Sequence, residues 1–182
     1  MRGQLQPVRC GGHSLTAIDP PGAATPIDEA RYRQVLGHFA TGVTVVTGMD
    51  AGHPVGLAVN SFTSVSLLPA LVAFCVSTRS TTWPRLRPAG AFCVNILADD
   101  QEHVARAFAA RGLDRFQGIG WQPSPAGAPI LAGALAWLDC TVEDEHPAGD
   151  HDIVVGRVRA MSVEHEGRPL VFYRGGYGRF EL

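Results

Sequence analysis

The sequence predicts a mostly β protein with flanking helices, its strands antiparallel and curled into a barrel. Three observations predict this. Short runs rich in β-branched and aromatic residues recur along the chain, each bounded by turn-forming residues. They follow one another through short connections more often than through helices, which favours antiparallel pairing over a doubly wound parallel sheet. The dinucleotide fingerprint of such a sheet is also missing: Gly175-Gly176-Tyr177-Gly178 follows a strand, but only four residues remain after it, too few for the helix that must come next.

The elements follow in order. Residues 1–25 hold many glycines and prolines without periodicity and are expected to be a flexible leader, an arm that could pack on a partner subunit; residues 26–182 form the domain. Thr25-Pro26-Ile27-Asp28 resembles a capped helix start with proline in the first turn, and Tyr32, Val35, Leu36 and Phe39 then make one apolar face before Thr41-Gly42 ends the helix. Strands are expected at 43–47 and 55–59, joined by the turn Asp50-Ala51-Gly52-His53-Pro54, and then at 70–76 and 92–97. A helix over 99–111 has Asp99 as its cap, Glu102 completing a capping box and Gly112 as its stop. Residues 118–130, with three glycines and three prolines, read as a loop, and strands at 135–143, 153–163 and 170–173 close the domain. The total is about seven strands and two sizeable helices, without an internal repeat.

Composition narrows the function. The 182 residues are 46% hydrophobic and 18% charged with a net charge of -2, which suits a single folded domain and offers no basic surface for nucleic acid or anionic membrane. No apolar run reaches the roughly 18 residues of a spanning helix, and the N-terminus lacks a signal-peptide core, so a cytoplasmic protein is expected. Cys10, Cys75, Cys93 and Cys140 are far apart, three of them inside apolar runs; they read as reduced thiols, with neither zinc nor a redox dithiol suggested. The phosphate loop of nucleotide hydrolases and the nucleophile elbow GxSxG are both absent.

Three stretches carry chemistry. Asn60-Ser61-Phe62-Thr63-Ser64-Val65-Ser66, directly after a strand, packs four hydroxyls and one amide into seven residues. Ser77-Thr78-Arg79-Ser80-Thr81-Thr82 leaves the end of another strand. If those strands are neighbours, the two clusters converge and can surround a phosphate, with Arg79 giving charge-assisted bonds; ordinary polar turns are the alternative. Gly149-Asp150-His151-Asp152 opens a later strand and places a histidine between two carboxylates, suited to a polar ligand contact. A metal site of His146, Asp150 and His151 does not match a chelating spacing, so none is expected. Near the C-terminus, Tyr173-Arg174-Gly175-Gly176-Tyr177 offers two aromatics that could stack on a planar ring, or a core-capping tyrosine and a frayed tail.

Together these blocks resemble a known family. Leu36-Gly37-His38-Phe39-Ala40-Thr41-Gly42-Val43-Thr44-Val45-Val46-Thr47 is similar to the opening of the short-chain flavin reductases, and Val59-Asn60-Ser61-Phe62-Thr63-Ser64-Val65-Ser66-Leu67 resembles that family's flavin-binding turn. Phe92-Cys93-Val94-Asn95-Ile96-Leu97, Gly149-Asp150-His151 and Leu170-Val171-Phe172-Tyr173-Arg174-Gly175 match the remaining blocks in order, so the resemblance covers residues 28 to 178. It implies an FMN-binding split barrel with Greek-key strands, a homodimer, and hydride transfer from NADH (or NADPH) to FAD or FMN. It also implies a partner monooxygenase that takes the reduced flavin by diffusion. By position, Asn60, Ser61, Ser64 and Ser66 would hold the ribityl chain and phosphate, with Ser80 and Thr81 assisting. Ala58 and Val59 would line the isoalloxazine, Thr41 would lie at the cofactor, and His151 would face the nicotinamide as an orienting or proton-relay residue. Arg79, Tyr173 and Tyr177 join the cofactor set on charge and ring chemistry alone. Two alternatives share the fold: a non-catalytic flavin-binding protein, and a flavin-dependent oxidoreductase of another small substrate, such as a pyridoxine-type or corrinoid compound.

Overall fold

A computed structural model describes residues 26–112 and 114–180. The expected leader therefore lies outside the described residues. The described chain runs α1 (Glu29–Leu36), β1 (Thr41–Gly42), β2 (Thr44–Asp50), β3 (His53–Val59), β4 (Thr63–Leu67), β5 (Ala70–Ser77), α2 (Trp83–Leu86), β6 (Ala91–Ile96), α3 (Glu102–Ala109), β7 (Trp121–Pro123), β8 (Pro129–Leu131), β9 (Ala136–Ala148), β10 (His151–Val163), β11 (Leu170–Tyr173) and β12 (Gly176–Arg179). Seven strands form one antiparallel sheet in the order β3-β2-β6-β9-β10-β5-β4, while β1-β11-β12 and β7-β8 make smaller sheets. The mostly β, antiparallel expectation is therefore met.

The valine-rich strand β2 is buried on both faces, because alternate side chains enter two different cores. Val46 joins Val72, Phe74, Val76, Trp83, Leu86, Phe92 and Val154 on one side. Val45 joins Leu97, Val104, Ala105, Phe108 and Leu131 on the other, where α3 covers the sheet. In the first core Phe74, Trp83 and Phe92 meet edge to face, with centroid separations of 5.4, 5.5 and 6.3 Å. That aromatic contact pins α2, and α2 in turn fixes the loop that follows β5.

Two glycines let rings come this close. A Cβ at Gly56 would stand 2.7 Å from the Phe108 ring and 3.0 Å from the Val46 carbonyl oxygen, and one at Gly156 would stand 2.5 Å from Phe92. Asn95, fully buried on β6, ties the β7–β8 hairpin to the main sheet. Its Nδ2 donates to the carbonyls of Val45 (3.2 Å) and Pro129 (3.3 Å) and to Thr47 Oγ1 (3.1 Å), and its Oδ1 accepts from Leu131 N–H at 2.7 Å. Cys75, Cys93 and Cys140 are free, and burial pushes the Cys140 thiol up to about 12, so it stays protonated.

The structure corrects several expectations. The first helix is capped by Asp28, whose carboxylate accepts from Ala30 and Arg31 N–H, so Pro26 precedes the helix and is not in its first turn. The helix expected over 99–111 begins at Glu102 instead. The Asp99 carboxylate reaches Arg168 at 3.2 Å, and the turn is closed by Gln101, whose Oε1 accepts from Ala98 N–H. Residues 118–130 are not all loop: β7 and β8 form a short hairpin there. Thr41-Gly42 pairs with β11 as a strand, the hydroxyl-rich 63–67 pairs with β5, and the glycine-rich tail returns on β11 as β12. Hydroxyls and glycines hide strand character from composition, so about seven expected strands became twelve among the described residues.

Candidate functional site

The strands carrying the two hydroxyl clusters, β3 and β5, are not hydrogen-bonded neighbours. The clusters converge differently. The chain leaves β3, crosses at Asn60-Ser61-Phe62 and folds back as β4 against β5. Ser61 secures that crossing: its Oγ accepts from Cys75 N–H at 2.9 Å and donates to the Cys75 carbonyl at 3.3 Å, so a side chain takes the place of a backbone rung. On the far edge of β5, His151 pairs with Ser77 and Ile153 with Cys75. Ser61 and His151 thus flank one strand, about 10–12 Å apart given the ~4.8 Å strand spacing.

The histidine is held in place. Its Nδ1 lies 2.7 Å from Asp150 Oδ1, and this imidazole holds the Asp150 carboxyl below its ordinary range, with Arg79 nearby adding to the effect. The β9–β10 turn places Gly149 at φ 71°, a left-handed conformation suited to glycine. The turn is then tied down by Thr78, whose N–H and hydroxyl both donate to the Asp150 carbonyl at 3.0 and 3.1 Å. The sequence motif therefore becomes a fixed imidazole beside the loop that follows β5.

Beside the β3–β4 crossing lies a groove of about 610 Å³. Tyr32, Leu36 and Phe39 from α1 and its exit, Phe62, and Phe172 on β11 give it apolar walls, with Thr41, Asn60, Ser61, Thr63 and Arg174 as polar groups. Arg174 stands at φ 50°, rare for a residue with a side chain, and its N–H donates to the Gly37 carbonyl at 2.9 Å, which ties the β11–β12 turn to the end of α1. Thr41 lines this groove, and its buried Oγ1 has no hydrogen-bond partner among the described residues. Leaving a buried hydroxyl unmet costs on the order of 1–3 kcal/mol. An apolar slot with one orphaned hydroxyl and an exposed amide at Asn60 suits a flat aromatic ligand with polar edges.

The remaining expected residues are spread out. Ala58 packs on the second core and Val59 is buried in the first. Ser64 and Ser66 sit further along β4, opposite Val72 and Leu71. That puts Ser64 about 17 Å along β5 from Ser77 at ~3.3 Å per residue, so these serines are not brought to the 77–82 loop. Ser80 Oγ accepts from Thr82 and Trp83 N–H at 3.3 and 3.1 Å, closing the turn that leads into α2. Arg79 is exposed. Thr81 opens into a second cavity of about 570 Å³ at the other end of β3, which also holds Arg85 and Arg115. Neither arginine stands in a recognisable sequence motif; Arg115, between Asp114 and Phe116, shows its role only in the fold, through the Ala110 and Gly56 carbonyls. Tyr173 is exposed and meets His38 edge-on at 6.2 Å. Tyr177 is held between Phe172 (5.3 Å) and the Arg106 guanidinium (5.1 Å), with burial raising its hydroxyl pKa, and it lies apart from the groove. His146 reaches only Asp144, at 3.3 Å.

The chain is similar to known proteins in sequence and in fold. The flavin reductase like domain model matches residues 36–181. The reductase subunit HsaB of a flavin-dependent monooxygenase from Rhodococcus jostii is 48% identical over 159 residues, 87% of this chain and 82% of that protein. An NADH-dependent flavin reductase from a Rhodococcus species is 44% identical over 172 residues, 91% of each chain. Among solved structures, the Streptomyces globisporus NADH:FAD oxidoreductase SgcE6, in complex with NAD and FAD fragments, superposes with a TM-score of 0.81 at 38% identity, covering 88% of this chain and 97% of its own.

Proposed function

The chain belongs to the flavin reductase like domain family, and we propose that the groove between α1 and the β3–β4 crossing holds the isoalloxazine of the flavin it reduces. The protein is an NAD(P)H-dependent flavin reductase that supplies reduced flavin to a partner monooxygenase. When bound, the two cofactors supply the chemistry themselves, a hydride passing from the nicotinamide to the flavin. What this chain contributes is binding, orientation and exclusion of water, which explains why no nucleophile or carboxylate pair marks the site.

The observation that carries the groove assignment is Thr41 Oγ1, a buried hydroxyl without a partner among the described residues. A ring carbonyl or ring nitrogen at the groove would satisfy it. Asn60 extends the polar edge, and the Phe172 and Phe62 rings supply the flat apolar walls. His151, aligned by Asp150, stands across β5 from Ser61. In this reading it contacts the nicotinamide and can hold or pass a proton at its Nε2, since Nδ1 is engaged. The antiparallel sheet, with β3 and β4 as its terminal strands, is read as a split barrel, and the groove is completed by a second copy of the chain. We read the protein as cytoplasmic; among the described residues no helix is long and apolar enough to cross a membrane.

The test is steady-state oxidation of NADH and of NADPH, each with FAD and with FMN. A flavin-dependent loss of nicotinamide absorbance is expected. Tight flavin binding without any nicotinamide oxidation would replace this reading with that of a flavin-binding protein.

A further inference from the structure

The cavity at the start of β3 has an electrostatic imbalance. Arg115 is anchored there by three bonds to neutral groups: Nε donates to the Ala110 carbonyl at 3.0 Å, and Nη1 to the Gly56 carbonyl at 2.6 Å and to Thr82 Oγ1 at 2.7 Å. It has no carboxylate within ion-pair distance among the described residues, and Nη2 has no protein acceptor there. Burial and the neighbouring Arg85 both disfavour its charge and lower its pKa. Arg85 itself is paired, through Nε, with Asp50 at 2.7 Å. The one carboxylate lining the cavity, Asp114, accepts from Phe116 N–H at 3.1 Å. A partly buried cation held only by neutral dipoles is costly unless an anion joins it. A guanidinium already fixed by three bonds is also preorganised to receive one, because little side-chain freedom remains to be lost.

We propose that Arg115 and Arg85, with the Thr81 hydroxyl, form an anion subsite that takes the phosphoryl oxygens of a nucleotide bound to this protein. The proposal rests on the flavin reductase reading for the identity of that nucleotide. Spacing supports the connection. Gly56, whose carbonyl Arg115 holds, lies on β3, and Asn60 at the groove follows the end of that strand four residues on, about 13 Å at ~3.3 Å per residue. One flavin molecule can extend its phosphate tail from the groove towards the arginines. The nicotinamide dinucleotide is the other source of the same chemistry.

The experiment is equilibrium titration of riboflavin, FMN and FAD against wild type, Arg85→Gln and Arg115→Gln, with the KM for NADH measured beside it. The expected result is a loss of about tenfold or more in FMN and FAD affinity in each variant, the size of one lost charge-assisted bond. Riboflavin, which carries no phosphate, should change by less than about twofold. Unchanged flavin affinities with an NADH KM raised about tenfold would keep the subsite and assign it to the nicotinamide dinucleotide. Equal losses for riboflavin and FMN, or no change for any phosphorylated ligand, would overturn it. Arg85 is half-exposed, so Arg85→Gln decides the question if Arg115→Gln does not fold. Because titration needs no turnover, a wild type that binds FMN through these arginines yet oxidises no NADH would overturn the reductase reading alone.

Discussion

Thr41 bears a buried hydroxyl that no other described residue meets, and this makes its replacement informative. Thr41→Val keeps the shape and removes the polar atom. Stability should hold or rise by up to about 1 kcal/mol, since an unsatisfied buried group disappears. Flavin affinity should fall by about 5- to 10-fold, one neutral hydrogen bond. A denaturant melt and a flavin titration on the same sample check both signs; parallel losses would mean that Thr41 is only structural. His151→Ala should act on the other cofactor. With the hydride chemistry belonging to the cofactors, flavin reduction followed by stopped flow should slow by about 10- to 100-fold and not vanish. Flavin affinity should stay within about threefold, because the imidazole lies across β5 from the groove. Collapse of flavin binding with unchanged NADH kinetics would contradict this division. The histidine motif could be read from the sequence because its partner is the adjacent residue, Asp150. The serines could not: Ser61 and Ser80 have the right chemistry for a phosphate, yet one bridges to Cys75, fourteen positions away, and the other closes the turn into a helix too short for any periodicity to show.

Among the elements, the weakest-looking ones are fixed by single side chains. The β7–β8 hairpin has three-residue strands, and one buried amide meets it through Leu131 N–H and the Pro129 carbonyl. Asn95→Ala strands those backbone groups and leaves a void, so the folded state should lose about 2–4 kcal/mol in a urea transition. A loss below about 0.5 kcal/mol would show that water or a shift of the hairpin replaces the amide. The long β-branched strands were legible because burial on both faces demands continuous apolar runs, as in 43–47 and 92–97. β4 was not, since an edge strand with an exposed face can be built from Thr and Ser. Helix α3 was found but started three residues late, because Asp99 turns to Arg168 and Gln101 closes a turn at Ala98 before the helix begins.

At the scale of the molecule, α1 poses a physical problem. Eight residues are too few for a stable isolated helix, and none of them is buried in one chain, although Tyr32, Val35 and Leu36 share a face continued by Phe39, itself 72% exposed. Its tether to the domain is made at its end, through Gly37 and Arg174. A second copy that covers this face would both stabilise the helix and close the flavin groove it lines. Light scattering at micromolar concentration should give twice the chain mass, and Phe39→Asp should shift it towards the monomer while weakening flavin binding. A wild-type monomer that binds flavin at full affinity would refute the closure. The apolar face was legible from its spacing; its exposure was not, because helical periodicity marks what must be buried and is silent on which chain buries it.

The rings lodged over Gly56 and Gly156 have a consequence for how this protein can vary. A methyl group at either position would collide with Phe108 or Phe92, so neither glycine can gain a side chain while its aromatic partner stays in place. Gly42 and Gly178, by contrast, face open space with no unusual backbone angle, and nothing there forbids a side chain. In a library of random variants selected for activity, the first pair should be nearly empty of substitutions and the second freely populated, although one letter stands for all four. The chain's tolerance of error is thus set by where Phe92 and Phe108 point, and an inherited side chain at Gly56 or Gly156 must travel with a change at its ring or not at all.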